Sequence, residues 1–106
     1  MIDIFSASQK LSQLDIRFPL ENLEIEVLWF RASADDGEWV IKRHTHSSFE
    51  FHIIYSGACK VVLDDGEFIA EQGEFYLTGP GVFHRQEFIP GKSMIEFSIN
   101  CDLKLL

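Results

Sequence analysis

An all-β barrel or sandwich is the fold class this sequence predicts, on three observations. From residue 24 onward, short runs rich in Val, Ile, Phe, Tyr and Trp follow one another, separated by Gly, Asp and Pro. Eight such runs occupy some 75 residues, which leaves no room for interior helices. The third observation is size: 106 residues, 46% hydrophobic and 25% charged, make one globular core and no second domain.

The first strand is "EIEVLWF" (24–30), in which Ile25, Val27 and Trp29 alternate with Glu24 and Glu26 as on a half-buried strand. "EWVIKRHTH" (38–46), "EFHIIYS" (50–56), "CKVVLD" (59–64), "EFIAE" (67–71), "EFYLT" (74–78), a segment at 83–88 and "SMIEFSI" (93–99) follow. Turns are predicted at "ASADDGE" (32–38), "DDGE" (64–67), "EQGE" (71–74), "GPGV" (79–82) and "IPGK" (89–92). Asp65-Gly66 suits a type I′ hairpin, because both central residues of that turn need positive φ. Residues 1–23 read as an N-terminal arm and residues 24–106 as the single barrel domain. Within the arm, "SASQKLSQLDIRF" predicts a short helix capped by Ser8 and ended by Pro19, or a lead-in strand.

Composition excludes several function classes. The longest uncharged apolar runs, "VLWF" (27–30) and "HIIY" (52–55), fall far short of the ~20 residues a spanning helix needs. No membrane partner is expected. The N-terminus lacks a basic start and a continuous apolar centre, so it is not a secretory signal and a cytoplasmic location is expected. Cys59 and Cys101 lack C-x-x-C spacing and read as reduced thiols. With net charge −8 and a pI near 4.8, the chain offers no basic surface for nucleic acid. Only the pair Lys42-Arg43 interrupts the scatter of single cations, and it reads as a solvated strand end.

Chemistry concentrates in "HTHSSFEFH". On a strand, positions two apart share a face, so His44 and His46 converge and Glu50 has the same parity. A neighbouring strand would bring His84, beyond the Pro80-Gly81 turn, to the same point. Three imidazoles and a carboxylate suit a divalent metal, with Zn, Mn, Fe and Ni undistinguished by ligand identity. His52 shares the parity of Glu50, and faces either the pocket or a core position satisfied by a backbone carbonyl. Ordinary core filling by the histidines is the competing reading. Trp29 and Trp39 read as packing residues.

The stretch 37–57 resembles the first motif of the cupin superfamily: glycine, spacer, His-x-His, three residues, Glu, six residues, glycine, here Gly37, His44, His46, Glu50 and Gly57. "GEFYLTGPGVFH" is similar to the second motif through Gly73, Gly81 and His84. Two departures stand out. Gly79 occupies the usual proline position, with Pro80 next to it, and the spacer before His44 is one residue longer. Phe88 stands where an Asn often follows the last histidine. The resemblance implies a double-stranded β-helix, or jelly roll, with the histidines in its mouth.

Within that superfamily, residues 44–87 are similar to the N-terminal sensor domain of AraC-type transcriptional regulators. In that family the barrel binds a small effector, often a sugar or aromatic acid, and C-terminal helix-turn-helix units bind DNA. The resemblance implies a small-molecule effector held by His44, His46, Glu50, His52 and His84, with Trp29 or Phe51 as stacking walls. It also implies a homodimer, and contact with DNA only through a C-terminal domain not in this chain. A stand-alone metal cupin enzyme of isomerase, epimerase or dioxygenase type is the alternative, and a storage or structural cupin the third reading.

Overall fold

The computed structural model describes residues 3–106, and among those residues it is a jelly roll of eight strands and one helix. Helix α1 (Ile4–Ser12) starts one turn earlier than the sequence predicts. Asp3 caps it, its carboxylate accepting from the amides of Phe5 and Ser6 at 3.0 and 3.3 Å. Ser8 is instead a buried mid-helix residue whose hydroxyl donates to the carbonyl of Phe5. The helix ends well before Pro19, which lies inside strand β1 (Ile16–Leu20). That strand pairs with β2 (Leu23–Asp35) and forms the edge of a sheet, a position that tolerates proline.

The remaining strands are β3 (Val40–His44), β4 (Phe49–Leu63), β5 (Gly66–Glu71), β6 (Phe75–Thr78), β7 (His84–Glu87) and β8 (Met94–Leu105). Two runs read separately in the sequence, 50–56 and 59–64, are one strand. Gly57, with φ +78°, carries β4 around a corner without ending it. As a result β4 belongs to two sheets. Its first half pairs with β6 and β8, and β8 with β2. Its second half pairs with β5 and β7, and β7 with β3.

The β4–β5 connection differs from the predicted turn by one residue. Leu63 pairs with Gly66, so Asp64 and Asp65 form the loop. Neither aspartate has positive φ, which rules out type I′.

One end of the barrel is apolar: Ile54, Cys59, Val61, Ala70 and Met94 are buried together, with Trp39, Leu63 and Tyr76 against them. The packing role expected of Trp39 holds. Toward the other end the interior is polar, so that buried polar residues outnumber buried hydrophobic ones, ten to seven, among the described residues. Cross-strand register explains how. Arg31 lies opposite Ser98, which lies opposite His52, which lies opposite Tyr76. All four point to the barrel interior, while the alternate row, Ala32, Phe97, Ile53 and Phe75, points outward. No helix among the described residues is long and apolar enough to cross a membrane.

Candidate metal centre

Three strand ends and one short loop bring the histidines together. His44 is the last residue of β3 and pairs directly with His84, the first of β7. Between Ile41 and His44 the register slips, three steps on β3 opposing two on β7. This bulge absorbs one residue, matching the longer spacer seen in the sequence. Just past the strand, His46 is tied by its carbonyl to the amide of Gly81 at 2.9 Å. Glu50 enters from the start of β4. The ring centroids of His44 lie 4.9 Å from His46 and 4.2 Å from His84.

One nitrogen or oxygen from each of His44, His46, Glu50 and His84 lies within 4.8 Å of the other three. Ligands about 2.1 Å from one ion are at most ~4.2 Å apart, so the four donors would have to close by roughly half an ångström to hold one. Ring orientation fits that role. The Nδ1 of His44 sits 2.7 Å from the Lys42 carbonyl and that of His84 3.1 Å from the Val82 carbonyl. A carbonyl only accepts, so both Nδ1 atoms carry the proton and both Nε2 lone pairs are free. The Nε2 atoms of His46 and His84 are buried without a hydrogen-bond partner, although Glu50 Oε1 lies 3.3 and 3.4 Å away. Orphaned buried ring nitrogens beside a carboxylate are what a cation would satisfy. Burial holds His46 below the ordinary histidine pKa, against the pull of Glu50 and with the help of the other three histidines, so it is neutral near pH 7. This His3Glu cluster fits a divalent metal; its donors do not select which.

Behind the cluster lies a network that sequence reasoning missed. His52 does not meet a backbone carbonyl: its Nε2 is 2.9 Å from Glu50 Oε1 and 3.1 Å from Thr78 Oγ1, and its Nδ1 is 2.6 Å from Glu96 Oε1. Carboxylates only accept, so both ring nitrogens are protonated and His52 is an imidazolium. Burial pulls its pKa down, but the hydrogen bonds and charges of Glu50 and Glu96 outweigh this and raise it to about 9. Desolvation likewise pushes Glu50 up, yet the hydrogen bond and charge of His52 and the hydrogen bond from Asn100 hold it far below the usual carboxylate range. Asn100 Nδ2 donates to Glu50 Oε2 at 3.0 Å and Ser48 Oγ donates to Asn100 Oδ1 at 3.0 Å. An asparagine thus orients the glutamate from β8, although Phe88 stands in the position read for it. Gln86 Nε2 donates to Glu96 Oε1 at 3.0 Å and also to the Tyr76 hydroxyl.

Linkage makes this network testable in the metal-stripped protein. A folded pKa near 9 against 6.5 unfolded means His52 contributes its full stability below about pH 6.5 and loses it as pH rises through 9. In chelator, Tm should fall by roughly 10 °C between pH 6.5 and 9.5, about 2 kcal/mol. Glu96→Gln should flatten that slope. An unchanged Tm across this range in the wild type would mean that His52 is not held as a cation.

A cavity of about 220 Å³ opens beside the cluster, lined by His44, His46, Glu50 and His52 and by Arg31, Ser33, Asp35, Ile41, Glu96 and Ser98. His84 lies behind the other three, 1% exposed. Burial raises the Asp35 carboxyl, with Glu96 adding to the rise and Arg31 opposing it. The two aromatic walls are not there. Phe51 is one residue from His52, so it stands on the outer face of its strand. Trp29 has the inward parity, opposite Asn100, but does not reach the cavity and is 40% exposed. Arg43 pairs with Asp64 at 3.1 Å and lies over the Phe83 ring, outside the site. Both cysteines are free and buried, and burial pushes the Cys59 thiol up to about 12.

Jelly-roll topology and a His3Glu cluster at its mouth define a cupin. More narrowly, the chain belongs to the AraC-like ligand binding domain family, which matches residues 27–106. Solved structures share the fold at low identity. A Neisseria meningitidis protein superposes with TM-score 0.59 at 15% identity, covering 96% of this chain and 99% of that one. A cupin superfamily protein of Desulfitobacterium hafniense gives 0.57 at 11%, covering 82% and 74%. The polyketide cyclase RemF of Streptomyces resistomycificus gives 0.64 at 13%, covering 81% and 72%. No curated protein sequence matches the chain.

Proposed function

We propose that this chain is the sensing domain of an AraC-type transcriptional regulator, acting in the cytoplasm, with the DNA-binding part outside the chain. The effector enters the polar cavity and is oriented by the His44, His46, Glu50 and His84 cluster, which carries a divalent metal. The observation that carries the reading is a family match over a cavity whose walls mix Arg31, Asp35, Ser33 and Ser98 with the metal cluster. At about 220 Å³ it lies below the ~300–1,000 Å³ of drug-sized sites. That favours a small hydroxylated or carboxylated molecule, whose oxygens take both the ion and the serine and arginine hydrogen bonds. Binding shifts a pre-existing equilibrium between domain arrangements by its differential affinity for them. When bound, the metal supplies an electrophilic anchor for a ligand oxygen; His52 and Asn100 hold Glu50 in place for it.

A thermal-shift panel of sugars, hydroxy acids and aromatic acids, with the metal-loaded protein, tests this. A ligand at 100 times its Kd should add about 2.7 kcal/mol, a shift of roughly 10 °C or more. No shift from any compound at millimolar concentration would sink the sensing reading.

The complete donor set supports a second reading, a metal cupin enzyme, and RemF shows that the fold itself accommodates catalysis. Mass spectrometry of the stabilising compound after incubation separates the two: a sensor returns it unchanged.

A further inference from the structure

Strand β2 supplies a cavity wall that neither the metal cluster nor the network behind it uses. Arg31, Ser33 and Asp35 stand two residues apart, share the inward face and all line the cavity. Register orders them by depth. Arg31 lies opposite Ser98 and then His52, on the inward rung next to that of Asn100 and Glu50. Ser33 lies opposite Glu96, and Asp35 opposite Met94, which is fully buried in the apolar end of the barrel. The wall therefore runs from a guanidinium near the metal cluster to a carboxylate against the core.

Neither charge has a partner. None of the ion pairs among the described residues uses Arg31. Asp35 feels Arg31 only through its charge, and its Oδ2 is buried without a hydrogen bond. An acceptor buried in this way costs stability that a donor on a ligand would restore. Between the two, Glu96 engages both His52 and Gln86 through Oε1, which leaves Oε2 for the cavity. Formal charge narrows the ligand further. Arg31 and His52 bring two positive charges to the cavity, and Asp35, Glu50 and Glu96 three negative ones, so a divalent ion leaves it at +1. A ligand with one negative charge balances that.

We propose that the effector is a polyhydroxylated monocarboxylic acid, with its carboxylate on Arg31 and its hydroxyls donating to Glu96 and Asp35, and that Asp35 sets its specificity. The inference rests on the sensing reading of this cavity and narrows it. The planar guanidinium meets both oxygens of a carboxylate. Hydroxyls satisfy Asp35 without adding a positive charge, as an ammonium would. An aromatic acid leaves Asp35 without a donor, and a neutral sugar leaves Arg31 without an anion.

Isothermal titration of the zinc-loaded and the stripped protein tests this with glycerate, threonate and gluconate, each beside its deoxy counterpart propanoate, butanoate or hexanoate. Glucose and glucarate serve as the neutral and doubly charged analogues of gluconate. At least one hydroxy acid should bind about 100-fold tighter than its deoxy counterpart, because a site built to bond a hydroxyl rejects the analogue that lacks it. Glucose and glucarate should bind at least about tenfold more weakly than that acid. Asp35→Leu should erase the preference and leave the affinities for the deoxy acid and for zinc unchanged. Asp35→Asn, which keeps the shape and one acceptor oxygen, should retain a reduced preference. Arg31→Gln should weaken hydroxy and deoxy acids by the same factor, a split that a purely structural role for either residue would not produce. A deoxy acid as tight as its hydroxy acid, a preference unchanged by both Asp35 substitutions, or hydroxy acids that do not bind would each overturn the proposal. If a neutral sugar or an aromatic acid binds in that last case, the sensing reading stands and only the ligand class falls; if nothing binds, both fall.

Discussion

Gly57→Ala is expected to leave no stably folded barrel at 25 °C. A Cβ built at Gly57 would lie 1.8 Å from the Ser93 carbonyl oxygen and 2.7 Å from its carbon, both backbone atoms. Those atoms cannot swing aside, because Ser93 O accepts from the amide of Ala58 at 3.1 Å and the Gly57 carbonyl accepts from Gln72 at 2.9 Å. A φ of +78° adds strain for any residue with a Cβ. Relief requires opening the corner at which β4 leaves one sheet for the other, so the cost exceeds about 4–5 kcal/mol. Domains of this kind hold about 5–15 kcal/mol in total. Circular dichroism with urea denaturation checks this, and a cooperative transition within 1 kcal/mol of wild type would refute the corner geometry.

Removing two ligands at once should have the largest effect on binding. His44→Ala with His46→Ala leaves Glu50 and His84 as the only donors of the four, and metal affinity should drop by more than about 100-fold. Stability should change little in the stripped protein. His46 Nε2 makes no hydrogen bond, and the His44 ring contributes one bond to the Lys42 carbonyl. Isothermal titration beside a melting curve separates the two effects. Collapse of the fold with loss of its β signal would mean that these histidines are structural.

Much of the fold was legible because strand periodicity and turn residues carry it. Glu50 and His52 share the inward face of β4, and His44 and His84 sit at strand ends, whereas His46 lies just past β3 and Gly57 lies within β4. What the sequence hid has identifiable physical causes. Alternation states which residues share a face and is silent on which face points inward. "SMIEFSI" therefore read only as a strand, whereas Glu96, Ser98 and Asn100 face the interior and Ile95, Phe97 and Ile99 face out. The available signal was that Glu50 and His52, one strand away, are polar in the same rhythm. Gly57 fell between two runs read as separate strands, because a glycine between apolar runs marks a break and a bent strand equally well. Asp3 escaped notice as a cap because the helix it starts packs on β2 through Ser12, which accepts from the Phe30 amide at 2.8 Å. That contact is tertiary and leaves no local trace.

His44, His46, Glu50 and His84 together form a site that could hold one ion. X-ray absorption on protein stripped with chelator, reloaded with one divalent metal and dialysed would test it most directly. The predicted result is one equivalent of metal, nitrogen and oxygen ligands at about 2.0–2.2 Å, and outer scattering from three imidazoles. Less than a tenth of an equivalent retained, or a first shell of water oxygens without imidazole scattering, would contradict it.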